Sequence, residues 1–532
     1  MLLICLVHIT VNFPGFCSYP VKAVFPPEKR RGRLLNAGET TGAGVGLSTA
    51  MQVDVALWLG ACAALALLVL LSRRALRRAG RRTLLRVRSR TDRFKLARKS
   101  VVIERVLAES AVAAAVTSHA LISGLDEQKT WRLVRSYLDE IVPFFNILAY
   151  YRLGYLVSRA LLGVFYKVSV EFEKADPFRG LPRDAVVIYL MNHRSNADYV
   201  LVAYVMMGDV SISYAVGEWA RAFPLEYIFK TFGSYFIRRR YRDPLYHAVL
   251  EAYVQLITRN GVTQGVFPEG GLTRDGALRA PKIGLLDYAL GVARDDTVRR
   301  RMYVVPVGIN YDRVLEDRSL LRELESGARR PVTSRFAQAR EVGRFMLWNT
   351  GRVLTRRWKR YGQAAVTIGA PVSVHDWLSD EERHGASIFG LPRTERLARV
   401  QVFCDGIMQR IGAIIPVPPV PLACAAIQSF DADYIPRRRL LERMEEMRDV
   451  LRELNGRVLR ADRDIAETFD RAFRMLRLRR VIVREGDGYL VLPKGRPLIT
   501  YYANSIVHLL GPFAEGVRTR DALPASRFAA DN

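Results

Sequence analysis

Residues 185–198 read AVVIYLMNHRSNAD, an apolar run that ends in a polar segment with a histidine and an aspartate five residues apart. The apolar run predicts a buried β-strand, and the polar segment predicts a turn that leads into a helix. Because positions i and i+5 point about 140° apart on a helix, His193 and Asp198 can meet only if His193 lies in the turn. Asp198 would then lie in the first turn of the helix, with Ser195 or Asn196 as N-cap.

His193 and Asp198 are the residue types that a general base and its orienting carboxylate require. A neutral imidazole, with a reference pKa of about 6.5, can take a proton from a hydroxyl near pH 7. The carboxylate fixes the imidazole tautomer and favours the imidazolium that forms. The alternative is a surface histidine beside a solvated aspartate, which this spacing alone does not exclude.

Composition narrows the class of protein. The chain has 532 residues, with 81 Lys and Arg against 53 Asp and Glu, and a net charge of +28. This excess suits nucleic acid, or an anionic membrane surface with phosphorylated substrates. We find no helix-turn-helix cue, zinc spacing or RNP-like strand, so nucleic acid is the weaker hypothesis. The five cysteines have no C-x-x-C spacing, which indicates neither a disulfide framework nor a zinc site.

Residues 55–71, VALWLGACAALALLVLL, are uncharged and long enough to cross a bilayer core, and an arginine cluster follows at 73–82. Because positive charge stays on the cytoplasmic side, we predict one crossing with the downstream chain in the cytoplasm. A buried core helix is the alternative. Residues 1–50 resemble neither a clean signal peptide nor a domain. Met51 is therefore a candidate initiator, and the first fifty residues a candidate annotation artefact.

The rest of the chain predicts an α/β protein, with a central sheet flanked by helices. We expect an N-terminal extension at 1–50, an anchor and Arg-rich segment at 51–100, and a helical region at 101–172. That helical region is either membrane-interfacial or packed against the next domain. A catalytic domain is expected at 173–420, with strands near 185–191, 265–267, 303–309 and 364–368. A Pro-rich connector at 415–423 closes it, and 421–532 is a mainly helical extension with a small strand pair turning at 486–488.

Three further segments combine strand-like runs with polar or glycine-rich ends. GSYFIRRR at 233–240 ends in three arginines, which suit a phosphomonoester. VFPEGG at 266–271 ends in an acidic residue and two glycines, where a ligand could approach the backbone. YVVPVGINY at 303–311 is another buried run with a polar end. Because ligands collect at the carboxyl ends of strands in open α/β sheets, these segments can converge with His193.

The segments NHRSNAD, GSYFIRR, FPEGG and VVPVGINY follow the order and approximate spacing of the four motif blocks of the glycerolipid acyltransferases, and the chain resembles that family. Four segments are most similar to those of the long membrane-bound glycerol-3-phosphate acyltransferases and their dihydroxyacetone-phosphate relatives. These segments are NHRSNADY, PVGINYDRVLE, PVPPVPLA and YYANSIVHLL. The resemblance is firm over about 180–320 and looser over 320–510. It implies the family's α/β fold and its H-x-x-x-x-D chemistry.

The resemblance also implies residue roles. His193 corresponds to the general base and Asp198 to its orienting carboxylate. The positions that bind the glycerol-phosphate acceptor correspond to Arg238, Glu269 and Gly270. Pro306 corresponds to the fourth block, which shapes the site or contacts the acyl donor.

One motif departs from the family pattern. The third block commonly reads E-G-x-R-S-R, but here Leu272 replaces its first arginine while Arg274 keeps the second. Part of the family's phosphate-binding site is therefore lost, or other basic residues bind the phosphate instead. The candidates are Arg239, Arg240 and Lys282. No metal site, dinucleotide fingerprint or Walker loop is found, so no cofactor is expected beyond the donor's own carrier.

The implied activity is transfer of an acyl group from acyl-CoA or acyl-carrier protein to the sn-1 hydroxyl of glycerol 3-phosphate, giving lysophosphatidate. Alternative acceptors are lysophosphatidate, dihydroxyacetone phosphate or another lipid alcohol. A nucleic-acid-binding protein and a non-catalytic membrane protein are the remaining alternatives. Thiolate is a good leaving group, and no G-x-S-x-G elbow occurs, so direct attack on the thioester is expected. Membrane lipids are expected partners, with the catalytic domain on the cytoplasmic side of the cell membrane.

Overall fold

The computed structural model describes residues 93–147, 149–174, 181–182, 184–207, 210–221, 225–239, 241–326 and 360–518. The predicted anchor at 55–71, the arginine cluster after it and the extension at 1–50 lie outside the described residues. Arg240, one of the candidate phosphate ligands, lies outside them as well. The expectations for these segments remain predictions.

An eight-stranded sheet forms the centre of the described fold, with the strand order β1-β7-β6-β2-β5-β3-β4 and β8 beside β6. Most neighbours are parallel, whereas β6 is antiparallel to β7 and β8. The four strands predicted from the sequence correspond to β2, β5, β6 and β7. The strands are β1 Lys167–Phe172, β2 Val186–Met191, β3 Ser213–Gly217, β4 Tyr235–Ile237, β5 Gln264–Val266, β6 Met302–Tyr311, β7 Gln363–Ile368 and β8 Val372–Ser373.

Helices flank this sheet, which confirms the predicted α/β class. Every residue of β2 and β7 is buried, as the continuous apolar runs of these strands require when both faces are covered. The helices up to the end of the sheet are α1 Lys99–Leu107, α2 Ser110–Ser123, α3 Glu127–Ile141, α4 Tyr155–Phe165, α5 Asp198–Met206, α6 Leu225–Thr231, α7 Pro244–Arg259, α8 Gly284–Leu290, α9 Asp296–Arg299, α10 Asp317–Ser326, α11 Val374–His384 and α12 Arg393–Ala413.

The N-terminal helical region divides into more elements than its sequence indicated. The apolar stretch at 131–166 is interrupted after Ile141, because Pro143 cannot continue a helix, and resumes as a π-helical turn at Ala149–Gly154 and then α4. Among the described residues, no single helix meets the length and apolarity needed to cross a membrane. Helices α1 and α2 meet that test only as a pair, bent by 66° between them.

The C-terminal extension packs on one face of the sheet and shares its hydrophobic core. Its elements are α13 Pro419–Gln428, β9 Tyr434–Pro436, α14 Arg437–Glu453, α15 Ile465–Leu478, β10 Ile482–Glu485, β11 Gly488–Val491, α16 Arg496–Asn504 and α17 Ala514–Arg518. The predicted strand pair is present, and β9 adds a third antiparallel strand to it.

The Pro-rich stretch at 415–423 is not only a connector, because its second half begins the buried helix α13. Pro419 occupies the first turn of that helix, where the missing N–H has no intrahelical acceptor to lose. All ten residues of α13 are buried. The stretch that was expected to close a domain therefore lies in the interior of the molecule.

Candidate active site

His193 and Asp198 are paired, as the spacing predicted. His193 lies in the turn after β2, and Asp198 is the first residue of α5. The imidazole Nδ1 is 3.0 Å from Asp198 Oδ2, and the two side chains are 1% and 0% exposed. Since a carboxylate only accepts, Nδ1 carries the proton and Nε2 is free for base chemistry. The expected N-cap is corrected: Ala197 holds that position, and Ser195 Oγ accepts from the Ala197 N–H instead.

The Asp198 carboxylate is held by several donors in addition to the imidazole. Its Oδ2 accepts the backbone N–H groups of Arg194 at 2.7 Å and Ser195 at 3.0 Å. Its Oδ1 accepts from the Tyr311 hydroxyl at 2.5 Å. Hydrogen bonds of this kind stabilise the ionised form of a buried carboxylate. These contacts therefore fix the position of the aspartate relative to His193.

Glu269 follows β5 and supports the turn that carries the histidine. Its Oε1 accepts the backbone N–H of His193 at 2.7 Å, and its Oε2 accepts that of Arg279 at 3.2 Å. The side chain is 2% exposed, and burial raises the pKa of Glu269 to about 7. The structure thus engages both carboxylate oxygens in backbone contacts.

Aromatic rings enclose the imidazole. The ring of Phe267 stacks on His193 with 4.1 Å between centroids, and Tyr199 packs edge-on at 5.4 Å. Burial lowers the pKa of His193 below its ordinary value, Asp198 opposes that shift, and the positive charge of Arg239 adds to it. The imidazole is consequently neutral near pH 7, as a general base must be.

A third buried carboxylate, Glu316, contacts the same turn. Glu316 Oε2 accepts from Ser195 Oγ at 2.7 Å, and Oε1 lies 3.5 Å from Asn196 Nδ2. Burial raises the pKa of Glu316 to about 7, and the charge of Asp198 adds to the increase. The turn is therefore fixed by carboxylates from two different elements, Glu269 after β5 and Glu316 after β6.

Arg238 and Arg239 are adjacent but have different surroundings. The Arg238 guanidinium is paired with Glu140 of α3, with Nη2 2.7 Å and Nε 3.1 Å from its oxygens. The rings of Tyr137, Tyr241 and Tyr246 surround the same guanidinium at 4.8 to 5.6 Å. Arg238 therefore joins α3 to the end of β4, and it shares the Glu140 carboxylate with Arg221, whose Nη1 is 2.9 Å from Oε1.

Arg239, in contrast, lies near the turn at 192–197 that carries His193, which we name the catalytic turn for its proposed role. A Cβ built on Gly217, the last residue of β3, would lie 2.6 Å from Arg239 Nε. A Cβ on Gly271 would lie 3.8 Å from Arg239 Nη1 and 3.7 Å from Arg279 Nη1. Two guanidinium groups thus converge on Gly271. Among the described residues neither forms a direct ion pair, and the charge of Arg279 acts on the Glu269 carboxylate. Sequence reasoning did not single out Arg279, because no strand end or motif block marks it.

The remaining predicted ligands divide into near and distant groups. The Lys282 side chain packs against Gly270: a Cβ atom built on Gly270 would lie 3.1 Å from Lys282 Cδ. The backbone φ of +68° at Gly270 also favours glycine. Arg274 pairs with Glu323 of α10 at 3.3 Å on the surface. Pro306 is buried inside β6, opposite Leu190, and its carbonyl accepts from Gly369. Lys282 therefore lies with Arg239, whereas Arg274 and Pro306 make other contacts.

Arg194 connects the catalytic turn to the C-terminal extension. It is 3% exposed, donates through Nη1 to the Gly276 carbonyl and lies over the Tyr501 ring of α16 at 5.0 Å. The hydroxyl of Tyr502, on the same helix, donates to Asp317 at the start of α10 and accepts the backbone N–H of Val314 at 3.0 Å. The extension thus contributes side chains next to the site. Within the part of the chain that is described, no cluster of three or more potential metal ligands is found.

Two family regions match the sequence. Residues 172–310 match the family described as Acyltransferase. Residues 347–514 match the family described as Glycerol-3-phosphate acyltransferase C-terminal region. The first region contains the catalytic turn and the sheet up to β6, and the second contains most of the C-terminal extension. Neither region by itself covers half of the chain, and the four motif blocks lie in or at the end of the first region.

Curated relatives of this chain are named glycerol-3-phosphate acyltransferase. A glycerol-3-phosphate acyltransferase of Aeromonas hydrophila subsp. hydrophila is 27% identical over 428 residues, covering 78% of this chain and 50% of the relative. One of Xylella fastidiosa is 26% identical over 444 residues, covering 82% and 49%. The chain thus spans about half the length of the curated relatives that it matches.

A solved structure, the 1-acyl-sn-glycerophosphate (LPA) acyltransferase PlsC from Thermotoga maritima, is 17% identical. It covers 60% of this chain and 97% of its own, with a TM-score of 0.27. The matched regions, the curated relatives and the paired His193 and Asp198 agree with the sequence resemblance. Over these two regions the chain is similar to the glycerolipid acyltransferases with the H-x-x-x-x-D motif, and among them it resembles the glycerol-3-phosphate acyltransferases.

Proposed function

We propose that the protein transfers a fatty acyl group from acyl-CoA or acyl-carrier protein to the sn-1 hydroxyl of glycerol 3-phosphate, and that the product is lysophosphatidate. The observation that carries this proposal is the buried pair of His193 and Asp198, in which Nδ1 binds the carboxylate and Nε2 remains for the substrate. The names of the curated relatives support the choice of acceptor.

His193 acts as the general base in this proposal. Nε2 accepts the proton of the acceptor hydroxyl while that oxygen attacks the thioester carbonyl, and the thiolate leaves as the carbonyl re-forms. Asp198 stabilises the imidazolium that forms, and the proton then returns to the thiolate. Positioned base catalysis of this type contributes about 10²- to 10⁴-fold. No covalent intermediate with the enzyme is needed.

Arg239, Arg279 and Lys282 hold the acceptor's phosphate. Their side chains lie around Gly270 and Gly271, where the missing Cβ atoms leave room beside the backbone. Guanidinium groups match phosphate oxygens in a forked geometry. In this arrangement Arg239 and Arg279 replace the arginine that the family motif carries at the position of Leu272. Arg238, which the resemblance favoured, is the weaker candidate because its guanidinium is already engaged by Glu140, which it shares with Arg221.

Binding of the phosphate would place the acceptor hydroxyl near the histidine. Both sets of residues are joined to Glu269, whose two oxygens accept the backbone N–H groups of His193 and Arg279. A ligand fixed at Arg279 is thereby fixed relative to His193. Because the reactants are already held in position, the chemical step no longer has to include a large part of the entropy loss of a bimolecular reaction.

Membrane lipids remain proposed partners, and the cytoplasmic face of the cell membrane remains the proposed location. The described region offers one feature in support, the end of α2. Leu121 and Ile122 there are 80% and 88% exposed, and Leu125 follows at 43%. Large aliphatic side chains exposed together are typical of a surface that contacts a partner or a bilayer.

Thioester consumption tests the proposed function. The purified protein is given acyl-CoA or acyl-carrier protein, with glycerol 3-phosphate, dihydroxyacetone phosphate, lysophosphatidate or no acceptor. We expect glycerol 3-phosphate to give the highest kcat/KM and lysophosphatidate as product. A higher kcat/KM with another acceptor would overturn the assignment of the acceptor. No acceptor-dependent release of thiol with any of them would overturn acyl transfer itself.

A further inference from the structure

Tyr311 is the last residue of β6, and no role was assigned to it from the sequence. Its side chain is fully buried, and its hydroxyl lies 2.5 Å from Asp198 Oδ1. Burial raises the pKa of Tyr311 well above its ordinary value, and the charge of Asp198 adds to this increase. The phenol therefore stays protonated at working pH and remains a donor.

Asp198 distributes its hydrogen bonds between its two oxygens. Oδ2 faces the imidazole and two backbone N–H groups of the turn, all within the segment 193–198. Oδ1 instead accepts from Tyr311, which belongs to a different strand. The second contact prevents the carboxylate from turning about its Cβ–Cγ bond, and it connects the catalytic turn to the sheet.

We propose that Tyr311 is a positioning residue for the acyl transfer: its hydroxyl fixes the Asp198 carboxylate so that Oδ2 stays on His193 Nδ1. The inference rests on the proposed function for its kinetic consequences. Tyr311 does not contact the substrates in this proposal, and it acts only through Asp198 and His193. Its removal should therefore change turnover and proton affinity, while substrate binding stays the same.

The sign of the effect on proton affinity follows from charge. The Tyr311 hydroxyl stabilises the ionised Asp198 most when His193 is neutral, because the negative charge is then unbalanced. Loss of that donor raises the proton affinity of the His193 and Asp198 pair as a unit. Glu316, Tyr214 and Tyr501 also interact electrostatically with Asp198, Arg239 acts on His193, and Glu269 accepts the backbone N–H of His193. The substitution leaves all of them in place.

The test compares Tyr311→Phe with Tyr166→Phe. Tyr166 is a matched control, because it is buried too, its ring lies 5.3 Å from that of Tyr311, and its hydroxyl donates to the Arg313 carbonyl at 2.8 Å. Both variants lose one buried hydroxyl, but only one of these hydroxyls contacts Asp198. We expect Tyr311→Phe to lower kcat about tenfold, as loss of a hydrogen bond to a charged group would. KM for both substrates should change less than about twofold, because the lost hydrogen bond does not contact either substrate.

We also expect the acidic limb of the pH–rate profile to move to higher pH by about half a unit to one unit in Tyr311→Phe. Tyr166→Phe should match the wild type in kcat and in pH profile. Equal kinetic effects of the two substitutions would overturn the proposal, since loss of any buried hydroxyl would then account for them. A rise in acceptor KM alone would overturn it too.

A measurement without turnover separates this inference from the proposed function. The pKa of His193 is followed by nuclear magnetic resonance of histidine-labelled protein, with His193→Ala to assign the signal. A higher pKa in Tyr311→Phe, and an unchanged one in Tyr166→Phe, would support the positioning role even if no acceptor were acylated. An unchanged pKa in both variants would overturn it even if the wild type proved to be an active acyltransferase.

Discussion

Glu269 is a motif residue whose contacts in the structure favour support of the turn that carries His193. The resemblance implies acceptor binding, whereas the structure places both of its oxygens on backbone N–H groups. We predict that Glu269→Gln destabilises the fold by about 1–3 kcal/mol, because an amide has one acceptor oxygen and leaves a buried N–H without a partner. Turnover should fall as the catalytic turn shifts. Chemical denaturation and steady-state kinetics measure the two effects.

The Glu269 result distinguishes the two roles. Unchanged stability with a large rise in acceptor KM would favour the binding role that the motif implied. Gln255→Ala offers a comparison, because that side chain donates to Glu251 on α7, away from the site. It should leave both acceptor KM and turnover close to the wild-type values.

The two adjacent arginines give a second prediction. We expect Arg239→Ala to raise the acceptor's KM by about tenfold or more, since a hydrogen bond to a charged group is worth about 1.5–3 kcal/mol. The thioester's KM should change little. Arg238→Ala should instead lower stability, because it leaves Glu140 with one fewer partner. The reverse pattern, with the acceptor KM sensitive to Arg238 alone, would restore the assignment made from the motif.

The pH dependence of turnover follows from the environment of His193. Burial is the largest influence and lowers its pKa, so the neutral base should persist below the ordinary histidine value of about 6.5. We expect kcat/KM to be lost as pH falls through a midpoint below about 6.5, and retained above it. A midpoint clearly above that value would contradict this account. The profile is measured in Glu316→Gln as well, because Glu316 has a pKa of about 7 and contacts Ser195.

At the scale of elements, the loop after β5 packs directly on α16. A Cβ built on Gly276 would lie 1.9 Å from the Tyr501 carbonyl oxygen, and the φ of Gly276 is +87°. We predict that Gly276→Ala lowers the free energy of unfolding by more than about 1 kcal/mol and lowers turnover, because α16 must move away from Arg194. Denaturation midpoints and kinetics test this expectation.

Gly284→Ala is the matched control for that substitution. Gly284 begins α8, and a Cβ there meets nothing within 4 Å. Alanine should be neutral or slightly stabilising at that position. A Gly276→Ala protein as stable and active as Gly284→Ala would show that contact between this loop and α16 is not needed.

The elements show what the sequence could and could not predict. Strands β2, β5, β6 and β7 were predictable because buried strands have continuous apolar runs. The sequence could not predict which of Arg238 and Arg239 lies beside the site, because the side chains of consecutive residues after a strand point to opposite sides. Which side carries the site depends on Glu140, which lies about a hundred residues earlier in the sequence. Tyr311 was missed for the same reason, since its partner Asp198 is 113 residues away, whereas Arg279 was missed because no strand end or motif block marks it.

At the scale of the whole molecule, the C-terminal extension is part of the same packed unit as the sheet. The sequence predicted a mainly helical extension with a small strand pair. It could not show that α13 and α16 are buried against the sheet face, because the apolar stretch that forms α13 also reads as a proline-rich connector. Tertiary contacts decide this, through residues such as Asp312, which accepts the N–H groups of Gln363 and Val420.

Membrane contact is a prediction for the whole molecule. We expect Leu121→Asp with Ile122→Asp to weaken binding to anionic phospholipid vesicles at least about threefold, in a chain that begins at residue 89, because both side chains are largely exposed. Leu454→Asp is the control, since Leu454 is exposed as well, at 57%, but follows α14. Vesicle co-sedimentation measures the binding. Equal binding of the two variant proteins would contradict a role for the end of α2.

The central claim is that His193 removes the proton from the hydroxyl of glycerol 3-phosphate. The most direct test is the rate of acceptor-dependent thiol release from acyl-CoA by wild type and His193→Ala, with folding of both checked by circular dichroism. We predict that the wild type releases thiol only when glycerol 3-phosphate is present, and that His193→Ala is slower by about 10²-fold or more. A folded His193→Ala protein that retains most of the wild-type rate would contradict the account.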